Sequence, residues 1–166
     1  MRLAIISDTH MPKGPRRLPD ACVERLRAAD AILHAGDLSR LEVLRGLEAL
    51  GPPVHAVHGN VDDAAVRALL PATRTVELPG GARIAMVHDA GPSGGRLARM
   101  RRAFPEADAV VFGHSHIPLH ERDEVDGFQI FNPGSPTERR RSPRHTMGEG
   151  TAGEDGRLEL RLLDLD

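Results

Sequence analysis

Short apolar runs alternate with helical patterns along the first part of the chain, and after Pro71 the alternation gives way to hairpins. No other feature restricts the fold as much. "RLAII" (2–6) reads as a buried strand, and "DACVERLRAA" (20–29) as an amphipathic helix capped by Asp20 behind Pro19. "AILHA" (31–35) is a second strand. Ser39 and Glu42 form a capping-box pattern that opens the helix "RLEVLRGLEAL" (40–50), which stops at Gly51-Pro52-Pro53. "VHAV" (54–57) is a third strand, and "DAAVRALL" (63–70) a third helix that ends before Pro71. Strand–helix repetition of this kind predicts a parallel sheet with helices packed on it.

Beyond Pro71, "TRTVEL" (73–78) and "ARIAMV" (82–87) flank Pro79-Gly80-Gly81, a hairpin signal. The helix "GRLARMRRAF" (95–104) follows, then the strand "AVVF" (109–112). Two further hairpins are predicted around Asp126-Gly127 and Asp155-Gly156. About ten strands and four helices result, too many strands for one doubly wound sheet. The expected fold is α/β, with two stacked mixed sheets flanked by helices. No domain boundary and no internal repeat interrupts residues 1–166, so a single domain is expected. The segment "SPTERRRSPR" (135–144) reads as a mobile loop.

Five of the apolar strands stop at residues able to bind metal. The first ends in Ser7-Asp8-Thr9-His10 and the second in Gly36-Asp37. The third ends in His58-Gly59-Asn60-Val61-Asp62, a later one in His88-Asp89, and "AVVF" in Gly113-His114-Ser115-His116. Carboxyl ends of parallel strands share one edge of a sheet, where α/β folds place their sites. Asp8, His10, Asp37, Asn60, His88, His114 and His116 thus gather on one rim. Carboxylate, amide and imidazole donors suit borderline divalent ions such as Mn, Fe, Zn or Ni, and not thiolate-specific metals. Seven ligands are too many for one ion and fit two, with one carboxylate bridging. Asn60, His88 and His58, the last directly before Gly59, are the candidates for catalytic work. The glycines before Asp37, Asn60 and His114 are expected to let the backbone turn sharply.

Composition removes other classes of function. The net charge is -2, which makes no general case for nucleic acid or an anionic membrane. Trp and Tyr are absent, so no stacking platform for single-stranded nucleic acid is expected. Lys13 is the only lysine among 22 basic residues, and the arginines are scattered. Cys22 is the one cysteine, read as a buried thiol, so neither an intramolecular disulfide nor a multi-cysteine zinc site can form. No apolar stretch approaches the ~20 residues of a membrane span, and no signal-peptide core opens the chain, so a cytoplasmic protein is expected. "GPSGGR" (91–96) lacks the P-loop pattern, and Ser135 in "NPGSP" lacks the setting of a nucleophile elbow. The run Arg139-Arg140-Arg141 reads as a solvated loop. His34 and His55 read as structural or supporting residues, and His120 and His145 lie beyond the cluster.

D-x-H (Asp8, His10), GD (Gly36, Asp37), GNxD (Gly59 to Asp62), the strand-end His88 and GHSH (Gly113 to His116) stand in the order seen in calcineurin-like metallophosphoesterases. Together with the short length and "NPGSP" (132–136), the chain most resembles the small single-domain YfcE-type phosphodiesterases. The resemblance implies a four-layer sandwich with helices on both outer faces. It implies one metal, with Mn foremost, on Asp8, His10, Asp37 and His116, and a second on Asp37, Asn60, His88 and His114. Asp37 and a hydroxide would bridge the two, and that hydroxide would attack phosphorus in a small phosphodiester or nucleotide-like substrate. The alternatives are a phosphomonoesterase, or a non-catalytic binding scaffold of the same fold, as the resemblance to the retromer subunit illustrates. The complete ligand set favours the enzyme. A protein phosphatase would carry Arg-Gly soon after Asp37, where this chain reads Leu38-Ser39-Arg40-Leu41. Many larger family members have a histidine after the GN asparagine to protonate the leaving oxygen; here Val61 stands there. A homo-oligomeric state stays open.

Overall fold

The computed structural model describes all 166 residues. Ten strands form two five-stranded sheets. In the first sheet β1 (Arg2–Ile6), β2 (Ala31–His34) and β3 (Val54–Ala56) run parallel. The antiparallel hairpin of β9 (Thr146–Ala152) and β10 (Leu158–Asp164) extends it from the other side of β1. In the second sheet β4 (Thr73–Glu77) pairs antiparallel with β5 (Arg83–Val87), and β5, β6 (Ala109–Val111) and β8 (Gln129–Asn132) are parallel. Strand β7 (Leu119–Arg122) closes that sheet antiparallel to β8.

The apolar runs are continuous because these strands are covered on both faces. Successive side chains point to opposite faces, so Leu3 and Ile5 enter the core between the sheets, with Leu33, Ile84, Met86, Val111 and Phe131. Ala4, Ile6 and Ile32 face outward against α1 (Asp20–Ala28), α2 (Leu41–Glu48) and α3 (Ala64–Leu69), through Cys22, Leu26, Val43, Leu44, Leu47 and Val66. On the other side Ala85, Val110 and Ile130 pack against Met100 of α4 (Arg96–Ala103). The result is the four-layer α/β/β/α sandwich expected from the strand count. Cys22 is fully buried, and burial pushes its thiol up to about 12. No helix is long and apolar enough to cross a membrane.

Three local expectations need correction. Asp20 is the first residue of α1, behind Pro19, and caps nothing. Ser39 is not the cap of α2: Arg40 holds that position, without a side-chain cap bond. Ser39 is drawn instead into the loop after β2, with φ 85° and its N–H donating to Asp62 at 2.6 Å. The segment 135–144 is not uniformly loose. Ser135 is buried, and its hydroxyl donates to the Asp8 carbonyl at 2.8 Å and accepts from the Thr137 and Glu138 N–H groups. Hydrogen bonds hold residues 135–138 where apolar burial does not, so hydropathy alone reads them as free.

Candidate metal centre

All five predicted strand ends meet on one edge of the sandwich. Asp8 and His10 leave β1, Asp37 follows β2, and Asn60 follows β3. His88 directly follows β5, and His114 and His116 follow β6. Asp8, His10, Asp37, His88 and His116 are buried, whereas Asn60 and His114 lie at the surface. Ligand atoms of Asp8, His10 and His116 fall within 4.8 Å of one another, as do those of Asp8, Asp37 and His88. Asn60 Oδ1 adjoins the second group, 3.1 Å from His88 Nε2 and 3.0 Å from His114 Nδ1. Asp37 Oδ2 lies 3.1 Å from His88 Nε2 and 3.6 Å from His10 Nε2, so one oxygen faces both groups. His58 stays outside: its Nδ1 meets only the carbonyl of Gly59, at 3.4 Å.

The backbone carries this convergence under strain. Asp8, His10, Asp37, Ser39, His114 and His116 all have positive φ, and the one other such non-glycine residue is Arg140. Left-handed conformations cost non-glycine residues about 1–3 kcal/mol each and persist where surrounding contacts impose them. Of the three glycines expected to permit sharp turns, only Gly36 has positive φ (95°). Gly59 and Gly113 serve close approach instead. A Cβ on Gly59 would collide with the Asp37 carboxylate, and one on Gly113 with Ser7 Oγ and Asp8.

The directions of the lone pairs show what the arrangement can hold. His116 Nδ1 lies 3.0 Å from the Glu138 carbonyl, and His88 Nδ1 lies 2.8 Å from that of Ala35. A carbonyl only accepts, so both Nδ1 atoms donate, and in the neutral rings both Nε2 atoms present lone pairs. The His116 lone pair faces Asp8 Oδ1 at 3.3 Å. That of His88 faces Asp37 Oδ2 and Asn60 Oδ1. Acceptors aimed at acceptors are reconciled by a cation between them, and carbonyl-anchored imidazoles are the usual partners of such an ion. The residues present fit divalent metal.

A family model described as the calcineurin-like phosphoesterase superfamily domain matches residues 1–152. The chain belongs to that superfamily. A probable metallophosphoesterase of Methanothermobacter thermautotrophicus is 34% identical over 139 residues, covering 82% of this chain and 78% of the relative. Vps29 of Entamoeba histolytica, crystallised with zinc, superposes with a TM-score of 0.77 at 22% identity over the full length of both chains. An archaeal phosphodiesterase superposes with a TM-score of 0.70 at 21% identity, covering 98% of this chain and 100% of that one. At these identities the two structures speak for the fold. Membership supports phosphoester hydrolysis in general, and the Asp/His trios are where the chain could hold divalent ions.

Around the trios, the chain ties its loops together with groups that touch no ligand atom directly. Asp62 accepts from the N–H groups of Asp37 (3.1 Å), Ser39 (2.6 Å) and Gly59 (2.6 Å), locking the β2 and β3 loops in one register. His34 is fully buried, with Nδ1 accepting from Gly36 N–H at 3.2 Å and Nε2 3.1 Å from Thr9 Oγ1. Burial pushes it down to about 4, against the opposing pull of Asp62 and Asp8, so it works as a neutral bracket between the β1 and β2 loops. The end of β8 adds a sixth strand end to the site, where Asn132 serves as a brace and not as a ligand. Asn132 Nδ2 donates to the Gly113 carbonyl at 2.9 Å, and Thr137 Oγ1 donates to that of Thr9 at 2.7 Å. Only "NPGSP" hinted at this brace.

Without an ion, protons on these imidazoles take its part. Burial by itself would raise the Asp8 carboxyl, but hydrogen bonds from His10 and His116 and the charge of His88 outweigh it and hold the group well below the carboxylate range. Asp37 is lowered too, with burial opposing and His88 the chief cause. Burial would lower His88, but Asp37 and Asp8 prevail and raise it. Both carboxylates therefore stay charged in a buried setting. His120 pairs with Gln129 and His145 with Asp166, away from the cluster.

Proposed function

We propose that this chain is a dinuclear metal-dependent phosphodiesterase acting as one domain over residues 1–166. One ion, Mn foremost, would be held by Asp8, His10, Asp37 and His116, and the other by Asp37, Asn60, His88 and His114. The observation that carries this reading is Asp37 Oδ2, which faces His10 at 3.6 Å and His88 at 3.1 Å and so stands between the two halves of the donor set. His116 and His88 would coordinate through Nε2, because Nδ1 of each donates to a main-chain carbonyl.

When bound, the ions supply Lewis acidity toward the phosphoryl oxygens and an activated water as nucleophile. The chain's own part is to orient. Glu138 and Ala35 carbonyls fix the two imidazoles, Asp62 fixes the carboxylate and amide loops against each other, and Val61 N–H holds Asp37 Oδ1 at 3.0 Å. Asn60 stands at the exposed side of the cluster, where a substrate phosphate would approach, with the buried His88 3.1 Å behind it. An archaeal phosphodiesterase shares the fold, so diesters are the substrates to test first.

The test is to screen purified protein with Mn against nitrophenyl mono- and diesters and cyclic nucleotides, with metal content measured in parallel. Turnover of diesters by protein carrying two equivalents of metal is expected. Preference for monoesters would make it a phosphomonoesterase. Two equivalents of metal without any turnover would leave a scaffold role.

A further inference from the structure

We infer that the substrate of this site carries a second anionic group, received by Lys13 and Arg40 beside the metal ligands; the inference rests on the phosphodiesterase reading and adds a substrate class to it. A cleft of about 390 Å³ opens from His10 and is lined by Pro12, Lys13, Ser39, Arg40, Val61 and Asp63. That volume lies in the ~300–1,000 Å³ range of small-molecule sites. His10 belongs to the first ligand trio and also lines this cleft, so the cleft opens directly beside the place where a phosphate would be held.

The two cations are brought together by the backbone. Beyond their metal ligands the β1 and β2 loops stay side by side, with Met11 N–H donating to the Leu38 carbonyl at 3.1 Å and Met11 bridging Ser39 in parallel. Lys13 and Arg40 follow those two residues on the same rim. Ser39 is held at positive φ by its N–H bond to Asp62, and its carbonyl accepts from Asp63 N–H at 3.2 Å, which fixes where Arg40 starts.

The charges are unequal to one another. Asp63 is the one carboxylate in the lining, and it is already engaged: Oδ1 caps α3 by accepting from Val66 N–H at 3.0 Å, and Oδ2 pairs with Arg40 at 3.4 Å. Lys13 is exposed and has no carboxylate within 4.0 Å. An ammonium without a partner next to a site for one phosphate recognises another. The substrate class is therefore a phosphodiester with a further phosphate on one of its esterified groups, as in a nucleoside bisphosphate ester, rather than a diester of two uncharged alcohols.

The experiment compares two esters that differ by one phosphate: the 4-nitrophenyl ester of thymidine 5'-phosphate, with and without a 3'-phosphate. Protein loaded with Mn is expected to prefer the 3'-phosphorylated ester by at least about tenfold in kcat/KM, a typical effect of one charge-assisted contact. Lys13→Ala should remove most of that preference and Lys13→Arg should retain it, while Lys13→Ala with Arg40→Ala should abolish it. Equal kcat/KM for the two esters overturns the second-anion site and leaves the phosphodiesterase reading standing. Binding is measured alongside by calorimetry, using thymidine 3',5'-bisphosphate and thymidine 5'-phosphate. If neither ester turns over but the bisphosphate binds tenfold tighter and loses that margin in Lys13→Ala, the anion site stands and the phosphodiesterase reading fails. Equal affinity for the two nucleotides overturns the anion site even then.

Discussion

Asp37 Oδ2 lies 3.1 Å from His88 Nε2, while its partner oxygen Oδ1 accepts from Val61 N–H at 3.0 Å. Asp37 is thus oriented by main chain on one side and offers the other oxygen to the cluster. Asp37→Ala should abolish phosphodiesterase activity and lower metal content in both halves of the site, since no other side chain is proposed to touch both ions. Metal analysis of the variant decides. Two full equivalents retained would show that the ligand assignment is wrong.

Acid should act on the enzyme through its metal. Ligation needs neutral imidazoles, and protons compete for them near the ordinary pKa of about 6.5. Although burial opposes it, Asp37 and Asp8 raise His88 above that value. A raised pKa means that the proton is held more tightly, so competition begins on the alkaline side of the ordinary histidine value and grows as pH falls. Activity should decline on the acid side, and added Mn should partly restore it. An acid limb that does not respond to Mn concentration would count against this account.

Val61 is 45% exposed and lines the cleft beside His10, where it can donate no proton from its side chain. General acids typically contribute ~10²–10⁴-fold, so rates should depend steeply on the pKa of the leaving group, and aryl diesters should far outpace simple alkyl ones. Val61→His should flatten that dependence if the imidazole reaches the scissile bond, and His58→Ala should change it little. Similar wild-type rates for nitrophenyl and alkyl diesters would mean that another acid is at work. His58 is then the first to examine, because the Asp62 carboxylate is already occupied by three main-chain N–H groups.

Ser135→Ala removes a hydroxyl that donates to Asp8 O and accepts from two main-chain N–H groups in a buried position. Leaving such groups unpaired costs about 1–3 kcal/mol, so the melting temperature should fall. The Glu138 carbonyl that anchors His116 should loosen with it, and Mn affinity should drop together with stability. Thermal unfolding and Mn titration of the purified variant provide the check. Unchanged Mn affinity in a destabilised protein would confine Ser135 to a packing role.

Much of the site was legible because its cause is local. Asp8, Asp37, Asn60, His88 and His114 each sit within a few residues of the end of an apolar run, and parallel strands bring such ends to one edge. The roles of Ser39 and Asp20 were misread because capping patterns record local preference, and for Ser39 the Asp62 carboxylate, 23 residues away, outweighs it. Gly59 and Gly113 were legible as glycines but not in their reason, since the groups that crowd them come from the β1 and β2 loops.

By itself, the sequence determined the ten strands and four helices, the doubly covered sheets and the chemical types of the donors. Apolar periodicity and turn residues act over a few positions, and burial on both faces demands continuous apolar runs. Only the tertiary structure decided which lone pairs face one another, which oxygen of Asp37 meets His88, and that residues 135–138 brace the site. Those outcomes rest on hydrogen bonds between distant positions, such as Ser135 to Asp8 across 127 residues and His114 to Asp8 across 106. Contacts of that span exist only once both sheets have packed.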